Sequence, residues 1–219
     1  MKWRAIIYVC LLLLGLWQKP WRAVPELLTG EWVGGFKLKQ QWVFVKACFK
    51  ADGASIKVTI EMPLEGLSAQ PQTNISADAS RVSFQLPQEA GRIRFDGRFE
   101  DGVISGDVEQ AGARGAFELA RIAKLDARSF EQYVGAYQLE PRRTILIAMT
   151  DAGLAYQDAE AGSVGLLQPL SATSFFSHRS LLTDFPVDVK ITFVKNESGA
   201  VTGLIYQPRG LPAKTAARV

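Results

Sequence analysis

The stretch ASIKVTIEM, Ala54 to Met62, alternates without a break: Ile56, Val58, Ile60 and Met62 take one side, and Lys57, Thr59 and Glu61 the other. On an extended backbone successive side chains point to opposite faces, so this is the pattern of a β-strand with one face buried. The same alternation returns in Val82, Phe84 and Leu86, in Ile93 and Phe95, and in Val187, Val189, Ile191 and Phe193. Between the runs stand Ala51-Asp52-Gly53, Asp101-Gly102 and Asn196-Glu197-Ser198-Gly199, residues that tolerate the positive φ of tight turns. Long helical periodicity is nearly absent. The pattern predicts an all-β chain of antiparallel meanders.

Two echoes divide that meander. GEWVGGF, Gly30 to Phe36, resembles EQYVGAY, Glu131 to Tyr137; DGVISGDVEQ, Asp101 to Gln110, matches SGAVTGLIYQ, Ser198 to Gln207. In the second pair Gly102/Gly199, Ile104/Val201, Ser105/Thr202, Gly106/Gly203, Val108/Ile205 and Gln110/Gln207 fall in register. Both echoes come in the same order at similar spacing, which predicts two copies of one β module. The expected organisation is a first β domain over 27–122 and a second over 127–219. Asp126 to Tyr133 is the one short helical candidate, with Asp126 as N-cap and Phe130, Tyr133 and Val134 facing inward. Glycines inside strands, Gly34, Gly35, Gly106, Gly135 and Gly203, would relieve crowding in a coiled sheet, so strongly curved or barrel-like (lipocalin-like) sheets are expected.

Ahead of the first module, Lys2 and Arg4 precede an apolar run from Ala5 to Trp17. That is the charge and hydropathy order of an export signal. The run is shorter than the roughly 20 residues a bilayer-spanning helix needs, so residues 1–23 are expected to act as a signal peptide or an uncleaved signal anchor. The expected location is secreted or periplasmic, with membrane contact only through this segment. With 21% charged residues, a formal net charge of +3 and several cations spent beside the apolar run, nothing points to nucleic acid. Once the signal is removed Cys48 stands alone, so the exported part has no internal disulfide and must rest on its apolar core.

Catalytic constellations are scarce. No serine has glycines at both second-neighbour positions, no Gly-x-Gly pair is present, and there is neither a phosphate loop nor a CxxC pair. The single histidine, His178, has Ser177, Ser180 and Asp184 nearby, but residues so close in sequence seldom converge into a triad. With one histidine and one exported cysteine no typical zinc site is expected; Glu100, Asp101 and Asp107 read as solvated turn residues rather than a calcium site. No catalytic residue, metal ligand or cofactor is therefore assigned.

The aromatic residues at the head of the first module are the candidate ligand-binding set: Trp32, Phe36, Trp42 and Phe44. Trp42 and Phe44 share one strand face, and Val43, Val45, Ala47 and Phe49 share the other. One of the two faces must cover something beyond its own core: the other domain, a partner protein or a ligand.

These motifs resemble a known group. GEWVGGF, IEMPLEG (Ile60 to Gly66), RVSFQLP (Arg81 to Pro87), RFDGRFEDG (Arg94 to Gly102) and ISGDVEQAG (Ile104 to Gly112) look like the β domain that precedes the catalytic domain in secreted bacterial α/β-hydrolases of the esterase type. FEQYVGAYQL (Phe130 to Leu139), Gly153-Leu154, Phe175, Phe176 and ITFVKNESGAVTGL (Ile191 to Leu204) are similar to small β domains attached to the same hydrolases and to related serine hydrolases. The resemblance implies a hydrolase domain or partner protein. It supplies no catalytic residue, because no position here matches the hydrolase motif. Three readings follow: a non-catalytic extracytoplasmic accessory or binding module, the N-terminal portion of an esterase whose catalytic domain is missing, and a lipocalin-like carrier of a small apolar ligand.

Overall fold

The computed structural model describes residues 27–78, 80–87, 92–179 and 186–219. Residues 1–23, expected to form a signal peptide or anchor, and Ser180 and Asp184 lie outside the described residues. The first group of strands is β1 (Gly30–Leu38), β2 (Gln41–Asp52), β3 (Ser55–Met62), β4 (Leu67–Pro71), β5 (Thr73–Ala77), β6 (Arg81–Gln85), β7 (Arg94–Glu100), β8 (Val103–Gln110) and β9 (Ala113–Arg121). The second is β10 (Gly135–Glu140), β11 (Arg143–Thr150), β12 (Gly153–Asp158), β13 (Ser163–Leu166), β14 (Gln168–Pro169), β15 (Ser174–Arg179), β16 (Pro186–Lys195), β17 (Val201–Pro208) and β18 (Lys214–Arg218).

Each group forms one antiparallel nine-stranded sheet, in the orders β4-β3-β2-β1-β9-β8-β7-β6-β5 and β13-β12-β11-β10-β18-β17-β16-β15-β14. The first strand of each module pairs with its last, as in a closed meander. The two edges of each sheet are also continuous in sequence. In the first, β4 pairs with β3, Gln72 N–H donates to Val58 O at 2.8 Å, and β5 then pairs with β6. In the second, Leu167 N–H donates to Leu154 O at 2.8 Å between β13, which pairs with β12, and β14, which pairs with β15. One bent run thus serves both edges, and each sheet rolls into a nearly closed barrel. Closure leaves little free strand edge for unwanted pairing.

The alternation read from the sequence becomes the inside of these barrels. Ile56, Val58, Ile60, Met62, Val82, Phe84, Leu86, Ile93 and Phe95 are buried in the first core; Val189, Ile191 and Phe193 are buried in the second. Curvature depends on missing side chains. A Cβ on Gly34 would lie 2.0 Å from Glu118 O, and one on Gly106 would lie 2.1 Å from Asp96 O. These strands can approach so closely only with glycine at those points.

The duplication is visible residue by residue. Trp32 stands opposite Arg121 across β1 and β9, and Tyr137 stands opposite Arg218 across β10 and β18. Trp32 Nε1 donates to Leu28 O at 3.0 Å, four residues back; Tyr137 Oη donates to Tyr133 O at 2.7 Å, also four residues back. Tyr137, rather than Tyr133, therefore occupies the place of Trp32, which corrects the alignment of GEWVGGF with EQYVGAY. Tyr133 belongs to the short 3₁₀ turn Ala127–Tyr133, capped by Asp126, whose carboxylate accepts from Arg128 N. The second echo holds for the penultimate strands β8 and β17, with Gly102 and Gly199 both at positive φ in the preceding turns. It slips at its end. A bulge in the pairing of β16 with β17 changes the alternation, so Leu204 and Tyr206 fill the second core where Val108 fills the first, and Ile205 is only half-buried.

Candidate functional site

The four aromatic candidates separate into three places. Trp32 closes one end of the first barrel: its ring meets Phe49 and Phe99 edge-on, and the Arg121 guanidinium carbon lies 4.8 Å from its centroid. Burial lowers the Arg121 pKa, and its Nε and Nη2 lack hydrogen-bond acceptors. The charge rests on the faces of Trp32 and Phe99, a cation–π plug. Arg218 stands 6.0 Å from the Tyr137 centroid at the same end of the second barrel.

Phe36 packs edge-on against Phe95 inside the first barrel and also faces the opposite end. There a cavity of about 590 Å³ opens between the β1–β2 and β8–β9 turns and the segment leaving β3. Its wall is Phe36, Leu38, Val43, Met62, Leu67 and Ile93, and its rim carries Lys39, Gln41, Glu65 and Gln110. We call this end the mouth.

Phe44 and Trp42 lie outside the barrel and meet the second domain. Phe44 and Val33 form one small buried cluster with Phe176, flanked by Ile122 and Leu170. The His178 ring stacks on Phe44 with centroids 3.8 Å apart and planes 8° from parallel. Arg209 lies over Trp42 with its guanidinium carbon 3.4 Å from the ring centroid, and its Nε donates to Asp188 Oδ2 at 2.7 Å. Burial raises the Asp188 pKa, opposed by the Arg209 charge and hydrogen bond and by the nearby Trp42 indole N–H. Trp42 Nε1 and Asp188 Oδ1 are both buried without a partner of full hydrogen-bond geometry, and the indole N–H still favours the charged carboxylate. This seam accounts for the outward aromatic face of β2: it covers the other domain. A cleft of about 560 Å³ runs beside it, lined by residues of both barrels.

The second barrel's mouth is built differently. Arg143 donates to Asp158 through Nη2 at 2.6 Å and through Nε at 3.2 Å, and the Tyr206 hydroxyl donates to Asp158 Oδ2 at 3.1 Å. Burial pushes the Asp158 carboxyl up. The Arg143 bonds and charge, the Ala161 N–H and the Tyr206 hydroxyl together outweigh that and hold it below its ordinary value. The same surroundings push Tyr206 upward, burial first and the neighbouring Tyr156 and Asp158 next. Lys214 pairs with Glu140 beside this group. A buried carboxylate satisfied by a two-pronged guanidinium and a phenol is a rigid closure.

Of the residues weighed for catalysis, Ser177, His178 and Cys48 are among those described, whereas Ser180 and Asp184 are not. Ser177 and His178 are adjacent on β15; Ser177 is fully buried, whereas His178 faces Phe44 across the seam. Among the described residues no three His, Cys, Asp or Glu side chains gather as a metal site. Cys48 is a free, half-buried strand residue. Sequence reasoning missed Arg121, Arg143, Asp158, Asp188, Arg209 and Tyr206. One signal was available: the interval separating Asp101 from Ser198 also separates Arg121 from Arg218.

No protein-family model matches the chain, and neither does any curated protein. Its class rests on the fold: a tandem pair of nearly closed antiparallel β barrels joined along an aromatic and ionic seam. No helix among the described residues is long and apolar enough to cross a membrane.

Proposed function

We propose that this chain is a non-catalytic binding module working outside the cytoplasm, an accessory to secreted serine hydrolases. The observation that carries the reading is how the ionic groups inside the fold are used. Arg121 plugs one barrel, Arg143 and Asp158 close the other, and Arg209 and Asp188 join the two. Each is held by partners that build the body, whereas catalytic acids and bases need a free face toward substrate. The export-signal pattern of Lys2, Arg4 and Ala5 to Trp17 supports the location, and the short glycine-aromatic motifs support the tie to hydrolases.

A panel of p-nitrophenyl esters from acetate to decanoate tests this directly. Hydrolysis should stay at the buffer rate. Turnover that disappears in His178→Ala would overturn the reading. The carrier reading is favoured by one observation of its own, the apolar mouth of the first barrel.

A further inference from the structure

The two barrels are copies, yet their mouths differ in the groups that face one another. The hairpin at the second mouth pairs Glu140 with Arg143, and Arg143 reaches Asp158, which also receives the Tyr206 hydroxyl. In the first barrel the corresponding hairpin pairs Leu38 with Gln41. Leu38 and Gln41 line a cavity of about 590 Å³ instead of an ion pair. That volume lies within the range of small-molecule sites, about 300 to 1,000 Å³.

The chemistry of the mouth narrows what could occupy it. Its wall is made by Phe36, Leu38, Val43, Met62, Leu67 and Ile93, all apolar. The rim carries one ammonium, Lys39, one carboxylate, Glu65, and two amides, Gln41 and Gln110, so its formal charges cancel. A ligand head of either sign meets one attraction and one repulsion there, and pays desolvation without a dedicated counter-ion. An uncharged hydrogen-bonding head finds donors and acceptors at no such cost.

We propose that the protein has one ligand site, the mouth of the first barrel, that it binds a single-chain amphiphile with an uncharged hydroxyl or amide head, and that the second barrel is permanently sealed. This rests on the binding-module reading and deepens it. Duplication has left one copy open for ligand and turned the other into a docking body.

Calorimetric titration of the full-length protein in detergent-free buffer with 1-decanol tests it, with decanoate and decylammonium run alongside. Decanol should bind saturably with one equivalent, and both charged analogues roughly fivefold more weakly. Leu67→Trp and, independently, Val43→Phe add bulk to the mouth; each should weaken decanol at least about tenfold while the circular dichroism spectrum stays unchanged. Asp158→Asn, in the sealed barrel, should leave decanol affinity within twofold. Two equivalents of decanol, tighter binding of either charged analogue, or decanol affinity untouched in both filled variants overturns the proposal. Absence of decanol binding in a protein that also fails to hydrolyse esters removes this site and leaves the non-catalytic reading standing. Ester turnover removes that reading instead.

Discussion

Arg209 and Trp42 belong to different barrels and lie face to face, the guanidinium carbon 3.4 Å from the indole centroid, while the same guanidinium grips Asp188. One side chain thus ties an aromatic face of the first domain to a buried carboxylate of the second. Packing of Phe44 against Phe176 and His178 completes the joint. The two barrels are expected to unfold as one unit.

Replacing Arg209 by Ala should break that unit. The Arg209 side chain is 38% exposed and that of Asp188 is 7% exposed, so the pair falls between a surface bridge and a fully buried one. A loss of about 2 kcal/mol is expected. Differential scanning calorimetry should show the single wild-type transition dividing into two, with Trp42→Ala doing the same to a smaller extent. A single, unbroadened transition in both variants would show that the seam does not couple the domains.

Asp158 should govern the acid limit of stability. Its folded-state pKa lies below its unfolded value, so its contribution is present above the unfolded pKa of about 4 and is lost as pH falls through the folded value. Asp188 acts in the opposite sense: its folded pKa is raised, so its burial weighs against folding as pH rises through that value. Asp158→Asn should cost about 3 kcal/mol at pH 7, because it leaves Arg143 without its carboxylate. Urea denaturation at pH 7 and pH 2.5 should show the gap between wild type and variant narrowing at the lower pH. A gap independent of pH would place the ion pair outside the stability of the barrel.

Gly34 should tolerate no side chain. A Cβ there would meet Glu118 O at 2.0 Å, a contact with backbone of the adjacent strand that no rotamer can avoid. Gly34→Ala is expected to cost about 3 kcal/mol or more. Gly53, in the β2–β3 turn at φ +62° with nothing within 4 Å of an added Cβ, should accept Asn with less than about 1 kcal/mol change. Equal stability of the two variants, measured by chemical denaturation, would refute the close approach of β1 and β9.

The fold was largely legible in the chain because barrel interiors impose period two, and Ile56 to Met62 or Val189 to Phe193 display it openly. The split faces of β2 also predicted that one of them would cover something beyond its own core, and the structure gives that part to Trp42 and Phe44. Their occupant was hidden, since His178 comes from β15, Asp188 from β16 and Arg209 from the turn after β17, all more than 130 residues away. The mouth escaped notice for another reason. Its wall residues are ordinary inward positions of strands, and only the closing of the sheet, together with the contrast to Arg143 and Asp158, distinguishes an open end from a filled one.

The most direct measurement is an amide and methyl NMR titration of the full-length protein with 1-decanol. The account predicts saturable shifts concentrated at Phe36, Leu38, Val43, Met62, Leu67 and Ile93, with Asp158, Tyr206 and the Trp42–Arg209 seam unmoved. Shifts centred on the second barrel or on the seam would contradict it.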